Sequence, residues 1–217
     1  MTDYDRARKL MVDNQLRTSG ITDRRLLAAM GEVPREKFMP EVRRPLAYID
    51  KAVPVGAGRR LGAPAPFAKL VQLAAIERED SVLDLGCATG YSAAVLARLA
   101  ATVVAVESEP SLAAMARATL AELNIGNATV VEGPIETAGK AKGPYDVIVV
   151  EGVLRSVPDA LMAQLKPEGR LVALIAGPGR TAVAHLFARS GKGIASRADF
   201  DARLPPLSPS GDDSFVF

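Results

Sequence analysis

The chain has 217 residues, of which 48% are hydrophobic and 24% are charged, and 27 basic against 25 acidic residues give a net charge of +2. This length and composition suit one α/β domain with an extension. The near balance of charge argues against a nucleic-acid or anionic-membrane partner. One cysteine excludes an internal disulfide, and one histidine excludes metal clusters built on histidine and cysteine. Because the sequence has neither an apolar signal core nor an apolar run of membrane-spanning length, we expect a cytoplasmic protein. From the single histidine and the single cysteine, we also expect that it holds no metal.

Residues 1–52 predict a helical cap that precedes the sheet. The first 31 residues favour two helices, the first ended by Gly20 and the second capped by Thr22. Leucines and a methionine at helical spacing give the second helix one apolar stripe. Prolines from position 34 to 40 then impose an irregular but fixed path.

Residues 53–64 contain three glycines and two prolines, a composition that suits neither a helix nor a central strand. We expect a shaped loop that leads directly into a helix over 65–77 and reaches the ligand-binding edge of the sheet. A plain connector is the alternative, although connectors of this length inside compact domains usually serve a function or are disordered.

The stretch from Ser81 to Tyr91 predicts a buried strand, a turn bracketed by Gly86 and Gly90, and the start of a helix. In parallel sheets such a corner is where a nucleotide-like ligand lies, because a Cβ in the turn would block its approach. The spacing is G-x-x-x-G, which differs from the G-x-G-x-x-G that wraps a pyrophosphate. A ligand without phosphates therefore fits better.

A second acidic residue, Glu107, ends the next apolar run, twenty-three residues after Asp84. This is close to the roughly 20-residue spacing that places a carboxylate on ribose hydroxyls. Together the two segments resemble motif I and its acidic partner in the class I S-adenosylmethionine-dependent methyltransferases; an ordinary strand–turn–helix corner is the alternative. The resemblance implies S-adenosyl-L-methionine as cofactor. It places Asp84, Gly86, Cys87, Ala88, Gly90, Tyr91 and Glu107 around it, with Cys87 as a small turn residue and no nucleophile.

The rest of the chain alternates helices with strands, which predicts a mostly parallel sheet flanked by helices. We expect a helix over 108–123 with Met115 in the core, strands over 128–131, 145–150 and 169–176, and a helix over 158–165. Segments 181–189 and 194–200 suggest an antiparallel edge hairpin, with a helix over 182–189 as the rival. The fold class is thus α/β, Rossmann-like, in a single domain whose cofactor-binding sheet region covers 65–217.

Several blocks resemble the protein-L-isoaspartate O-methyltransferases, a family within that class. They are Asn14-Gln-Leu, Gly20-Ile-Thr-Asp, Val33-Pro-Arg-Glu-Lys-Phe, Pro54-Val-Gly, Leu83-Asp-Leu-Gly, Tyr145-Asp-Val-Ile-Val-Val and Gln164-Leu-Lys-Pro-Glu-Gly. The likeness spans about residues 10 to 207. It implies methylation of a carboxylate on damaged aspartyl residues, with isoaspartyl proteins or peptides as partners and protein repair as the role.

The chain departs from the family in the loop that faces the acceptor. Where the family has Gln-Thr-Ile-Ser-Gln-Pro, this sequence has Arg59-Arg60-Leu61-Gly62-Ala63-Pro64, so both hydroxyl groups are absent. An arginine can pair an acceptor carboxylate with two N–H donors, or it can be a solvated loop charge. The candidate acceptor loop comprises Pro54, Gly56, Arg59, Arg60, Gly62 and Pro64.

Two further departures lie near the implied pocket. A family Gly-Asp-Gly is replaced by Gly133-Pro134-Ile135, where Gly133 and Pro134 complete the candidate cofactor set, and Glu151 stands where threonine is usual. The main hypothesis is an isoaspartyl methyltransferase. The alternative is a family member that binds S-adenosylmethionine but acts on another acceptor or on none.

Overall fold

The computed structural model of the chain describes residues 3–177, 180–191, 193–204 and 207. The strands in these ranges are β1 (Val53–Gly56), β2 (Arg59–Leu61), β3 (Ser81–Leu85), β4 (Thr102–Glu107), β5 (Ala128–Glu132), β6 (Tyr145–Leu154), β7 (Leu165–Ile175), β8 (Ala182–Ser190) and β9 (Gly193–Ala202). The α-helices are α1 (Tyr4–Met11), α2 (Arg24–Glu32), α3 (Pro64–Ala74), α4 (Tyr91–Leu96), α5 (Pro110–Glu122) and α6 (Asp159–Met162).

The main sheet of the described chain has seven strands in the order β5-β4-β3-β6-β7-β8-β9. The strands from β5 to β7 run parallel to one another, β8 is antiparallel to β7, and β9 is antiparallel to β8. This confirms the predicted Rossmann-like α/β fold, and it confirms the predicted edge hairpin in place of the rival helix. The chain builds outward from β3 through β4 to β5, then crosses to β6 on the other side. The carboxyl ends of β3 and β6 therefore border a topological switch point, where α/β sheets bind ligands.

The central strands are buried on both faces because their sequences are continuous runs of branched apolar residues. Leu83 pairs with Val104 on one side and with Ile148 on the other, and none of the three is more than 9% exposed. Only a strand covered by helices or loops on each face gains from such a run. The one acidic residue inside β3, Asp84, is fully buried as well, so its position is fixed by the sheet.

The N-terminal cap is helical, as predicted, with a π-helical turn at Val12–Leu16 and 3₁₀ turns at Arg35–Phe38 and Glu41–Leu46. The predicted capping residue of α2 was wrong. Asp23, not Thr22, is the N-cap, and its carboxylate accepts hydrogen bonds from the backbone N–H of Arg25 and Leu26. Asp23 directly precedes the first helical residue, and from this position its carboxylate reaches the free N–H groups of Arg25 and Leu26.

Residues 53–64 differ from the expected loop. They form an antiparallel hairpin of β1 and β2, outside the main sheet, with its turn at Ala57 and Gly58 in the left-handed region (φ +48° and +73°). Alternation along β2 buries Arg59 and Leu61 and exposes Arg60 between them. The hairpin therefore buries one of the two arginines and exposes the other, a difference that the sequence alone does not predict.

Smaller differences concern element ends and one core residue. Helix α3 starts at Pro64 and ends at Ala74, because Ala75 adopts a left-handed conformation (φ +48°). Met115, expected in the core, is 38% exposed on α5. The predicted C-terminal tail lies largely outside the described residues, of which Leu204 and Leu207 are buried. None of the helices in the described part of the chain has the length and apolar character that a bilayer crossing requires.

The capping assignment yields a stability prediction. Asp23→Ala removes the acceptor for two helix N–H groups and is expected to lower the free energy of unfolding by about 1 kcal/mol. Thr22→Ala is the matched control and should change it by less than about 0.5 kcal/mol, since its side chain is exposed. Urea denaturation followed by circular dichroism measures both. Equal effects of the two substitutions would contradict the assignment.

Candidate active site

The turn after β3 carries the backbone geometry that the glycine pattern requires. Gly86 and Gly90 have φ values of +83° and +92°, a region that side-chain-bearing residues rarely adopt. A Cβ on Gly90 would also lie 2.9 Å from the Cβ of Ala116 on α5. The N–H groups of Gly86 and Cys87 both donate to the carbonyl of Val106, at 2.9 and 3.1 Å. This ties the turn to the end of β4.

Asp84 lies below this turn with one carboxylate oxygen satisfied and one free. Ser92 donates its hydroxyl to Oδ2 at 2.7 Å, whereas Oδ1 is buried without a hydrogen-bond partner among the described residues. Burial raises the pKa of Asp84 to about 7; the Ser92 hydrogen bond opposes this shift and the charge of Glu107 adds to it. A buried, half-satisfied carboxylate at a switch point is typical of a binding site.

Glu107, at the end of β4, faces the same crevice and is fully buried. Its Oε1 accepts hydrogen bonds from the backbone N–H of Ser108 and Glu109, at 2.9 and 3.0 Å, and its Oε2 accepts one from Ala88 at 2.7 Å. These bonds hold the carboxylate in one orientation. Since each oxygen has two lone pairs, Oε2 retains acceptor capacity.

Arg59 enters this crevice from the hairpin and is 5% exposed. Its Nη2 donates to the carbonyl of Gly86 at 2.9 Å, and its Nη1 lies 3.5 Å from Glu107 Oε1. The distance to Glu107 is long for a charge-assisted hydrogen bond, so the ion pair is loose. Arg60 points the other way and donates to the carbonyl of Ala52 at 2.7 Å.

Leu207 covers the crevice. Its carbonyl accepts a hydrogen bond from Arg59 Nη1 at 2.6 Å, and its side chain is 1% exposed. A Cβ added at Gly86 or at Gly152 would overlap the Leu207 side chain. Gly86, directly after β3, and Gly152, within β6, thus let one leucine lie directly on the backbone at the switch point.

Glu151, near the end of β6, supplies a third carboxyl group. Its neighbour Val150 pairs with Leu85, which places Glu151 beside Gly86. Its Oε1 is buried and, within the described ranges, has no hydrogen-bond partner. Burial, followed by the nearby charge of Asp84, raises the pKa of Glu151 well above its ordinary value.

A second buried arginine connects the cap to the hairpin. Arg35 is 1% exposed and donates to the carbonyls of Ala47 and Gly62, and its guanidinium carbon lies 4.6 Å from the centroid of the Tyr91 ring. That ring also contacts Phe38 at a centroid distance of 5.7 Å. Tyr91 therefore faces the cap, and Arg35 fixes the backbone at Gly62, where the family resemblance implies a serine.

The remaining predicted residues are placed as follows. In the hairpin, Pro54 pairs with Arg60 and Gly56 with Arg59, and Pro64 begins α3. The N–H of Gly133 donates to the carbonyl of Glu107 at 3.1 Å, so the end of β5 adjoins the crevice. Pro134 begins a turn, and its carbonyl accepts from Thr137 and Ala138. Cys87 is buried, and burial raises the pKa of its thiol, as befits an unreactive turn residue.

A mostly parallel sheet with its topological switch beside β3, a glycine turn after that strand and acidic residues on β3 and β4 form a Rossmann-like fold of the class I methyltransferase type. Sequence comparison narrows the class. The family described as "Protein-L-isoaspartate(D-aspartate) O-methyltransferase (PCMT)" matches residues 6–204. The chain belongs to this family of S-adenosylmethionine-dependent methyltransferases.

Individual relatives agree with this membership. The chain is 37% identical over 204 residues to protein-L-isoaspartate O-methyltransferase 2 of Anaeromyxobacter sp. (strain Fw109-5), covering 94% of this chain and 84% of that one. It is 39% identical over 198 residues to protein-L-isoaspartate O-methyltransferase of Rhodopseudomonas palustris (strain ATCC BAA-98 / CGA009), covering 91% of each.

A solved structure shares the fold. It is a putative protein-L-isoaspartate O-methyltransferase from Plasmodium falciparum in complex with S-adenosyl-L-homocysteine. It superposes with a TM-score of 0.79 at 22% identity, over 94% of this chain and 99% of that one.

Sequence reasoning alone did not assign three residues to the site. Leu207 carries no motif, and only the folded chain brings it over Gly86. Arg35 lies within the Val33-Pro-Arg-Glu-Lys-Phe block, which marked the family without assigning it a contact. Glu151 stands where the family resemblance implies a threonine, and that change from a neutral to an ionisable side chain is the signal that could have placed it at the site.

The buried carboxyl of Asp84 predicts a pH-dependent stability. With a folded pKa of about 7 against an unfolded value near 4, Asp84 holds a proton in the folded state that the unfolded chain has released. Its contribution to stability therefore falls as the pH rises from about 4 to 7. Asp84→Asn cannot titrate, so its free energy of unfolding should rise relative to wild type across this range.

Asp146→Asn is the control of opposite sign. Although burial opposes it, hydrogen bonds from Lys166 and Ser81 lower the pKa of Asp146. Its carboxylate stabilises the fold above the unfolded pKa, and that contribution is lost as the pH falls, so this variant should lose stability relative to wild type as the pH rises. Denaturant titrations at several pH values measure both differences. A flat Asp84→Asn difference would show that Asp84 is not buried as described.

Proposed function

We propose that this chain transfers the methyl group of S-adenosylmethionine to the free carboxylate of isoaspartyl residues in damaged proteins. The observation that carries the proposal is a family match over residues 6–204. The inward guanidinium of Arg59 at the predicted acceptor loop supports the same reaction, because a buried arginine is a natural partner for a carboxylate. We also propose that the protein acts in the cytoplasm.

The crevice fits the cofactor. Asp84 Oδ1 is an orphaned buried acceptor, Glu107 Oε2 has a lone pair to spare, and the turn from Gly86 to Gly90 presents backbone at close range. Glu107 would hold the sugar hydroxyls, Asp84 and the turn would hold the amino-acid portion, and Gly133 and Pro134 would border the base. When bound, the cofactor supplies an electrophilic methyl group on a sulfonium.

The residues of this chain mainly have to orient the acceptor. An ionised carboxylate is already a competent nucleophile, so no general base is required, and alignment provides most of the acceleration. Arg59 is the acceptor partner that the fold favours, since Arg60 points outward. Its Nη1 already binds the carbonyl of Leu207, so an oxygen of a peptide chain can occupy that position. This contact supports a role in which the Arg59 side chain fixes a substrate oxygen.

Binding requires rearrangement at the mouth of the crevice. The Leu207 side chain lies on Gly86 and Gly152, and the Arg59 side chain donates a hydrogen bond to the Gly86 carbonyl. Both groups must shift when the cofactor enters, so the free-energy cost of displacing Leu207 reduces the apparent affinity for the cofactor.

A direct assay tests the proposal. Purified protein is incubated with methyl-labelled S-adenosylmethionine and either an isoaspartyl peptide or its aspartyl twin. We expect base-labile label on the isoaspartyl peptide only, because a methyl ester hydrolyses readily in base. Measurable cofactor binding without transfer to either peptide would contradict the proposed acceptor.

Arg59→Lys tests the role of the arginine while keeping a positive charge opposite Glu107. Lysine cannot offer the paired N–H donors, and losing one charge-assisted hydrogen bond, about 1.5–3 kcal/mol, should raise the KM for the isoaspartyl peptide roughly tenfold or more. The kcat should change less, and Arg60→Lys should have a smaller effect on KM because its side chain is exposed. Equal changes in the two variants would remove Arg59 from the acceptor site.

A further inference from the structure

Two carboxylate oxygens in the crevice are buried without a hydrogen-bond donor in the part of the chain that the structure describes. They are Oδ1 of Asp84 and Oε1 of Glu151. Leaving one such group unpaired is costly, and more so when it is charged. A pair of these oxygens at one place in the fold indicates that a donor from outside the chain completes them.

The strand register places the two acids at neighbouring strand ends. Asp84 pairs with Val149 and Leu85 with Val150, so Glu151 follows on β6 where Gly86 follows on β3. The cover of this corner is Leu207, which lies on Gly86 and Gly152 and offers no N–H or O–H from its side chain. The unpaired oxygens therefore border the space that the glycines leave open.

The chemistry of the corner favours a cation. Burial and the neighbouring Asp84 raise the pKa of Glu151, and the pKa of Asp84 is raised as well, so a positive charge beside these groups would favour their ionised forms. The arginines acting on Glu151 are Arg59 and Arg35. Both guanidinium groups donate to backbone carbonyls, of Gly86 and of Gly62 respectively, and neither hydrogen-bonds Glu151. An anionic group would raise the pKa of these carboxyl groups further, whereas an alkylammonium group brings three N–H donors and one positive charge that favours the ionised carboxylates.

We propose that Glu151, together with Asp84, forms a subsite for the α-ammonium group of the cofactor's amino-acid portion. Three N–H donors match the two unpaired carboxylate oxygens and the Gly86 carbonyl, which Arg59 Nη2 occupies at 2.9 Å. Where the family resemblance implies a threonine, Glu151 thus supplies a carboxyl group that can ionise beside a bound ammonium group, and the subsite favours ligands that carry an amino group. The inference rests on the proposed cofactor and adds a residue specific to this chain.

Binding calorimetry on the full chain separates this role from a structural one. The probes are S-adenosylhomocysteine, which has the ammonium group, and 5′-methylthioadenosine, which has the same nucleoside thioether without the amino-acid portion. In Glu151→Gln and Glu151→Thr we expect the Kd for S-adenosylhomocysteine to rise about tenfold or more, the usual effect of losing a charge-assisted hydrogen bond. The Kd for 5′-methylthioadenosine should stay within about twofold.

Glu79→Gln is the matched control. This exposed residue lies just before β3, at the end of the strand away from the crevice, and its substitution should leave both dissociation constants unchanged. Thermal unfolding of each variant checks that it is folded. If one Glu151 variant fails to fold, the other provides the measurement; if neither folds, Glu151 is structural and the proposal is overturned.

The outcomes distinguish this inference from the proposed function. Equal weakening of both ligands, or no weakening of either, would overturn the ammonium subsite while the cofactor assignment stands. A wild-type protein that binds neither ligand would overturn the cofactor assignment and the subsite with it. Selective loss of S-adenosylhomocysteine binding supports both.

Discussion

The burial of carboxyl groups at the carboxyl ends of β3, β4 and β6 is the constraint on which the site depends. Asp84 and Glu107 are fully buried, and Glu151 contributes a buried Oε1. Charges removed from water are stable only when they are paired, hydrogen-bonded or neutralised. The chain meets this requirement unequally: Glu107 is bound by three backbone N–H groups, Asp84 by one hydroxyl, and Glu151 Oε1 by no group among the described residues.

Arg59 connects the buried carboxyl groups to Leu207, the residue that covers the crevice. Its guanidinium binds the Gly86 carbonyl, lies near Glu107 and holds the carbonyl of Leu207, so a single side chain bridges hairpin, sheet and C-terminal segment. The loop hydroxyl groups that the family resemblance implies are absent from this sequence, and the buried cation of Arg59 lies in the same hairpin. The ionisable side chains of Arg59 and Glu151 at this crevice point to a site that relies on electrostatics.

Much of the fold followed from local patterns. Burial can be predicted from the apolar runs at β3, β4 and β6, and the backbone conformation of the turn can be predicted from the glycines at 86 and 90. Both properties depend mainly on residues that are close in the sequence. The hairpin at 53–64 was missed because two short strands outside the main sheet lack a long alternating pattern, and the glycines and prolines dominated the composition. Met115 was misplaced because helical spacing alone does not say how wide a face is covered.

By itself the sequence determined the family, the sheet and the identity of the acidic residues within β3 and at the end of β4, since those depend on residue type and spacing. Only the tertiary structure decided which arginine enters the crevice, that Leu207 covers it, and that Glu151 stands beside Gly86. Arg59 and Arg60 are chemically identical, and the alternation of a strand sends one inward and the other to solvent. Leu207 and Gly86 are far apart along the chain, and contacts at that separation are set by how the whole chain packs.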